Sequence, residues 1–245
     1  MDKINACMVS FFMDNMDMKT VGLQKSVVDK FNVNKYPHYH IKTDMKHGAS
    51  IDHFWAMNGI VTDSLKGRGI EKRFDHDIVL IMDIDCIPLS EKAIDLYVSI
   101  ANNGKLVGNA QRSGHLQNNK HVFSAPSASA LSAETYLTIG KPSALETSRS
   151  DVLEEYTWAA EKVGVLVEKF MPLRYDSPPI RMTWEPKDLP PYWSLADGMP
   201  NYGIGTTYGD EKHGDLFWHC FQMHADPKLQ QERFWAKCES ILNVK

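Results

Sequence analysis

Apolar positions along the chain fall into short continuous runs separated by helically spaced sets. "INACMVSFF" (4–12) reads as a buried strand, and "HYHIKTD" (38–44) alternates as a second one. Between them Leu23, Val27, Val28 and Phe31 recur at three- and four-residue steps, which predicts a helix with Thr20 placed to cap it. Ile51, Phe54, Trp55, Val61 and Leu65 mark a second helix that gives out at "KGRG". A third strand spans 77–84. A helix then runs from Ser90 through Ile94, Tyr97, Val98 and Ala101 to a stop near Gly104, before a fourth strand, "KLVGNA" (105–110). This β-α-β-α-β-α-β order predicts an α/β domain with a parallel sheet flanked by helices. Ligands in such sheets bind beyond the carboxyl ends of the strands.

The second half is less periodic. Residues 150–164 predict a helix with Val152, Leu153, Tyr156, Ala160 and Val163 inward. Residues 171–203 hold seven prolines and read as long loops. A last helix is expected to take Asp226 as cap and Pro227 in its first turn, burying Phe234, Cys238, Ile241 and Leu242. Nothing along the 245 residues resembles a linker, so a single domain is expected over 1–245.

Composition narrows the function classes. A net charge of −4 leaves no global basic footprint and argues against strong non-specific nucleic-acid binding. The densest positive cluster is "KGRGIEKR" (66–73), which would meet a phosphate backbone if DNA were a partner. No stretch of 18 apolar residues exists, so no membrane span is expected. The four cysteines form no CxxC pair and read as reduced thiols of a cytoplasmic protein, host cytoplasm if viral.

The candidate chemistry sits in "DHDIVLIMDIDCIPLS" (75–90). Asp83 and Asp85 are two apart, so on a strand they emerge on one face. Like charges there repel unless a cation lies between or beyond them. Mg²⁺ and Mn²⁺ prefer oxygen ligands and are often held by one or two carboxylates plus substrate phosphates. Acids that merely end a strand would give the same spacing.

"VLIMDIDCIPLS" resembles the DxD strand of the nucleotide-diphospho-sugar transferases, the GT-A fold glycosyltransferases, and in particular small phage-encoded members. The resemblance covers the pattern of about residues 4–110 and is specific only at the DxD. It implies a Rossmann-like, mostly parallel sheet, with a nucleotide-binding half (1–110) and an acceptor and metal-completing half (111–245). It implies transfer of a sugar from a nucleotide-diphosphate sugar, first of all a UDP-sugar, to an acceptor hydroxyl. Carbohydrate and hydroxymethylated pyrimidine in DNA both stand as acceptors. By the same resemblance Ser10, Phe11, Phe12 and Asp44 would meet the nucleotide, and Asp83 the ribose or the metal. Mn²⁺ or Mg²⁺ would be held by Asp83 and Asp85, with His219 or His224 from "GDLFWHCFQMH" completing the site. Asp151, Glu154 and Glu155 stand where such enzymes place acceptor-binding or catalytic acids, although acids also favour a helix's first turn through its dipole. "HVFSAPSASALS" (121–132), whose "APS" precedes a helix, would line the donor sugar, and Arg112 would meet a phosphate or the acceptor.

Three rival readings remain. A haloacid-dehalogenase-type phosphohydrolase would use Asp83 and Asp85 with "GDEKHGD" (209–215). A zinc module would draw on His219, Cys220, His224 and Cys238. A non-catalytic nucleotide- or carbohydrate-binding protein would keep the site without turnover.

Overall fold

The structure is a computed structural model that describes residues 4–61, 65–113, 121–178, 203–221 and 227–244. The elements in chain order are β1 (Ala6–Phe12), α1 (Met18–Phe31), β2 (His38–Lys42), α2 (His47–Met57), β3 (Ile78–Met82), β4 (Cys86–Pro88), α3 (Lys92–Asn102) and β5 (Leu106–Arg112). They continue as β6 (Val122–Ser132), α4 (Ala133–Thr138), α5 (Glu154–Val163), β7 (Val167–Arg174), β8 (Thr206–Asp210), β9 (Gly214–His219) and α6 (Pro227–Asn243).

The strands form one sheet in the order β2-β1-β3-β6-β5-β7-β8-β9-β4. β1 pairs in parallel with β2 and β3, and β5 with β7, while β6, β8 and β4 run against their neighbours. Six of the nine strands therefore point one way, and the fold class is the α/β one expected from the sequence.

The sheet must curl. β4 is its last strand and β3 its third, yet only Asp83, Ile84 and Asp85 join them. Three residues reach at most about 10 Å. The far edge is thereby brought back over the carboxyl end of β3, at the Asp-x-Asp.

Strand alternation feeds separate cores. Met8, Leu80 and Met82 pack with Val28 of α1 and with Ile94, Tyr97 and Val98 of α3. Cys7, Val9, Val79 and Ile81 pack on the other face with Ile51, Phe54 and Trp55 of α2 and Tyr156 of α5. β3 (IVLIM) is buried throughout, as a strand covered on both faces must be. A third core joins Ile87 of β4, Trp218 of β9 and Phe234 and Cys238 of α6. It seats the returning edge, since each fully buried side chain of this size stabilises by about 1.5–3 kcal/mol.

Several elements differ from the sequence expectation. The α1 cap is Asp17, which accepts from the Lys19 N–H at 2.8 Å; Thr20 lies buried inside the helix and accepts from Trp235 Nε1 at 2.9 Å. α2 stops at Met57, leaving Val61 39% exposed. α5 starts only at Glu154, and Val163 points outward. Residues 122–132 form β6 at the sheet centre, and 171–174 belong to β7 despite Pro172. Residues 179–202 of the expected loop, Asp226 and His224 lie outside the described residues. Among the described residues no helix is long and apolar enough to cross a membrane.

Candidate metal and nucleotide site

The two aspartates converge through a turn, and strand alternation plays no part. β3 ends at Met82, and the Cys86 N–H bonds to the Asp83 carbonyl at 3.0 Å, so Asp83–Cys86 folds as a tight turn. Its backbone is held from both sides. The Asp83 N–H donates to the carbonyls of Pro126 and Ser127, each at 3.2 Å. From α1 the fully buried Gln24 donates its amide to the carbonyls of Asp83 (2.7 Å) and Cys86 (3.0 Å). Gln24 Oε1 accepts in turn from His40 Nε2 at 2.9 Å.

His219 arrives by register. β4 and β9 pair antiparallel with Cys86 opposite His219, and the Cys220 N–H donates to the Asp85 carbonyl at 2.9 Å. His219 Nε2 then lies 3.2 Å from Asp85 Oδ1 and 3.6 Å from Asp83 Oδ2. Asp83, Asp85 and His219 each offer a ligand atom within 4.8 Å of the other two, and they form the sole His/Cys/Asp/Glu group of this kind among the described residues. His47, the first residue of α2, closes the other side with Nε2 3.4 Å from Asp83 Oδ1.

The electrostatics fit a cation. Burial pushes the Asp83 carboxyl above the usual carboxylate range; His47 and His219 oppose the rise and Asp85 adds to it. Burial works against charge on His219, but Asp85 and Asp83 outweigh it and hold its pKa above the ordinary histidine value. Asp83 Oδ1 is buried without a hydrogen-bond partner, an expensive state for a carboxylate oxygen that a bound cation would relieve. Two carboxylates and one imidazole suit Mn²⁺ or Mg²⁺.

The expected nucleotide residues stand at the carboxyl ends of β1 and β2. Ser10 is fully buried and its hydroxyl bonds to His38 Nε2 at 3.0 Å. Phe11 is buried against Phe54, with its ring 6.0 Å from that of His47. Phe12 is half-buried and pairs with Lys42, and Asp44 lies exposed in the bend two residues further on.

The acids around the start of α5 form a second, separate centre. Glu154 is fully buried, although it lies outside the set Val152, Leu153, Tyr156, Ala160 and Val163 expected inward. Its carboxylate accepts from Ser113 Oγ at 2.8 Å and from the Asp151 N–H at 2.7 Å, and abuts His121 Nδ1. His121 stacks on Trp158 with centroids 3.8 Å apart. Glu155 accepts from Arg149 Nε at 2.9 Å and Nη2 at 2.6 Å. Asp151 accepts from the Val152 N–H. The Pro126 and Ser127 carbonyls that meet Asp83 are five and six residues along β6 from His121, so this centre is offset by about 16–20 Å of strand. Buried Arg112, at the end of β5, is next to this second centre.

Among the described residues the rival sites are not assembled. Asp210 and Asp215 bracket the β8–β9 hairpin at the opposite end of β9 from His219, where His213 and Arg174 engage them. Cys220 is buried and donates to the Gln230 carbonyl at 3.5 Å, and all four cysteines are free and buried. A cavity of about 500 Å³ among Asp77, Asn102, Ser132 and Thr135 opens at the amino end of β3, away from the metal ligands.

Gln24, His40 and His47 were not singled out in the sequence. They are 59, 43 and 36 residues from Asp83, and no local spacing links them to it.

No family model matches the chain, and no curated protein matches it. Among solved structures it is similar to a glycosyltransferase involved in glycosylation of the major capsid of PBCV-1 (9% identity, TM-score 0.40, covering 67% of this chain and 80% of that one). It is similar to a Drosophila β-1,4-galactosyltransferase 7 in complex with manganese, UDP-Gal and xylobiose (11%, 0.39, covering 66% and 64%). It is also similar to a mannosyltransferase from Pyrobaculum calidifontis in complex with GDP-Man and Mn²⁺ (13%, 0.38, covering 67% and 54%). The chain thus spans less than two thirds of the length of the latter two.

Proposed function

We propose that the protein is a metal-dependent glycosyltransferase that uses a nucleotide-diphosphate sugar. The observation that carries this reading is the convergence of Asp83, Asp85 and His219 at the carboxyl end of β3, with a buried carboxylate oxygen left without a hydrogen bond. Asp83, Asp85 and His219 would hold Mn²⁺ or Mg²⁺. Such an ion, when bound, supplies positive charge against the departing diphosphate.

The chain's own residues do the rest. Gln24 and the β6 carbonyls fix the turn, so that both carboxylates point at one place without reorganisation. Phe12 at the end of β1 and Asp44 in the bend beyond β2 would offer an aromatic face and an acceptor to a nucleoside. Ser10 acts through His38, since its hydroxyl is buried. In the reaction the bond from the anomeric carbon to the β-phosphate oxygen breaks and a bond to the acceptor oxygen forms. The acceptor loses its hydroxyl proton and the nucleoside diphosphate leaves. Asp151, Glu154 and Glu155 enter this reading as structural acids at the start of α5. The acceptor is a hydroxyl compound, with carbohydrate placed before DNA because the net charge is −4.

The test is a thermal-shift screen of UDP, GDP, their sugars and other nucleoside diphosphates, each with Mn²⁺ and with EDTA. A melting-temperature rise that needs both metal and one nucleotide is expected. No rise with any pair, together with hydrolysis of simple phosphate esters, would overturn the assignment.

A further inference from the structure

The Asp83 carboxylate is flanked by two imidazoles on opposite oxygens. His219 Nε2 faces Oδ2 at 3.6 Å, and His47 Nε2 faces Oδ1 at 3.4 Å. His219 belongs to the three-residue ligand group and His47 does not. The main chain of Asp83 is already fixed by Gln24 and by the β6 carbonyls. What remains free is the rotation of its carboxylate, and His47 is the side chain placed to set it.

His47 is itself held by a built support. The next residue, Gly48, lies so close to the 144–145 segment that a Cβ there would be 2.5 Å from the Ala144 carbonyl oxygen. That segment is clamped to α2 by the buried Asp52, which accepts from Ser143 Oγ at 2.6 Å and from the Ala144 N–H at 2.8 Å. The ring of Phe11 borders His47 from the nucleotide side. A buried acid on α2 thus fixes a loop, the loop fixes the first turn of the helix, and the first turn aims an imidazole at a metal-site carboxylate.

We propose that His47 is a positioning residue for the cation site: its imidazole, 3.4 Å from Oδ1, sets the rotation of the Asp83 carboxylate towards the ion. This rests on the metal-dependent reading above. Metal-ligating groups generally need such outer partners, and loss of one typically costs about 10–100-fold in metal affinity. Glutamine places an amide N–H near the position of Nε2, so it keeps a polar group facing Oδ1 while losing the ring.

The test is calorimetric titration of Mn²⁺ and Mg²⁺ into the full-length protein and its His47→Ala and His47→Gln variants, with the metal-free melting temperature of each. His47→Ala is expected to weaken Mn²⁺ binding about 10-fold or more, and His47→Gln to return it to within about 3-fold of the parent. The metal-free melting temperature is expected to change little, because His47 is half-exposed. Three results would overturn the proposal: unchanged affinity in His47→Ala, no recovery in His47→Gln, or spin-echo modulation from two imidazole nitrogens on the bound Mn²⁺, which would make His47 a ligand. Failure of the underlying reading looks different, since the parent protein itself would then take up neither ion.

Discussion

The two carboxylate centres of this protein are built from similar parts and end in opposite states. At Glu154 a hydroxyl, a backbone N–H and an imidazole nitrogen gather on one buried carboxylate. At Asp83 and Asp85 two carboxylates share one imidazole edge, and one buried oxygen has no hydrogen bond. A carboxylate supplied with donors from the chain is complete and holds structure. One that lacks them, beside a second carboxylate, is complete only with something added. That is why we place the chemistry at the turn after β3 and a structural role at the start of α5.

The sharpest way to break this comparison is to remove one oxygen charge from the first centre. Asp85→Asn is expected to abolish metal-dependent turnover and to weaken Mn²⁺ binding by at least about 100-fold, because the site keeps only one anionic ligand. The metal-free protein should melt close to the parent, since relief of repulsion between two carboxylates offsets the weaker pairing with His219. Titration calorimetry and a melting curve read both; full activity in Asp85→Asn would place the reaction elsewhere.

The second centre should respond in the opposite sense. Glu154→Ala leaves the Ser113 hydroxyl, the Asp151 N–H and His121 Nδ1 without the acceptor they share. Orphaned buried donors and a broken buried pair predict a loss of about 3–5 kcal/mol in urea unfolding. Mn²⁺ affinity of the folded fraction should stay within about 3-fold of the parent, because Glu154 is no part of the ligand group. A stable Glu154→Ala variant that binds metal normally yet fails to transfer sugar would return Glu154 to a catalytic role.

The same contrast explains what the sequence made legible. The first half was readable because β1, β3, α1 and α3 bury faces whose periods match their geometry. β6 was not, because Ala125, Pro126, Ser127, Ala128 and Ser129 have low strand propensity. They suit the centre of the sheet because neighbours come close: a Cβ on Gly108 of β5 would lie 2.0 Å from Ser124 Oγ. β7 was hidden by Pro172, which pairs with Tyr208 across a register shift. In the site, Asp83 and Asp85 are legible as a strand-end pair, whereas His219 follows only from the resemblance, with His224 beside it. The turn that joins them, the amide of Gln24 and the ring of His47 depend on contacts made only by folding. The resemblance makes Asp151, Glu154 and Glu155 acceptor-side or catalytic acids, with the helix's first turn as the plain alternative; in the structure Glu154 reaches back three residues to the Asp151 N–H.

The smallest expected effect separates the two centres by pH. His40, which holds Gln24 under the metal turn, has its pKa lowered to about 4 by burial first and then by Lys25, with Asp29 opposing. His38, whose ring lies tilted at 45° with its centroid 4.0 Å away, is shifted in the same direction by burial and by His40 itself. In the unfolded chain both imidazoles take a proton near pH 6.5, whereas the folded protein resists it. The unfolded state therefore binds more protons between about pH 6.5 and 4, and stability must fall as the pH drops through that window. For the partly exposed His40 the share is about 1 kcal/mol after allowance for solvent screening. His40→Gln retains an amide donor for Gln24 Oε1 without the titration. The difference in unfolding free energy between the parent and His40→Gln should thus shift in favour of the variant as the pH falls from 7 to 4.5. A pH-independent difference would mean that His40 titrates normally, and that the neutral imidazole is not what holds the turn.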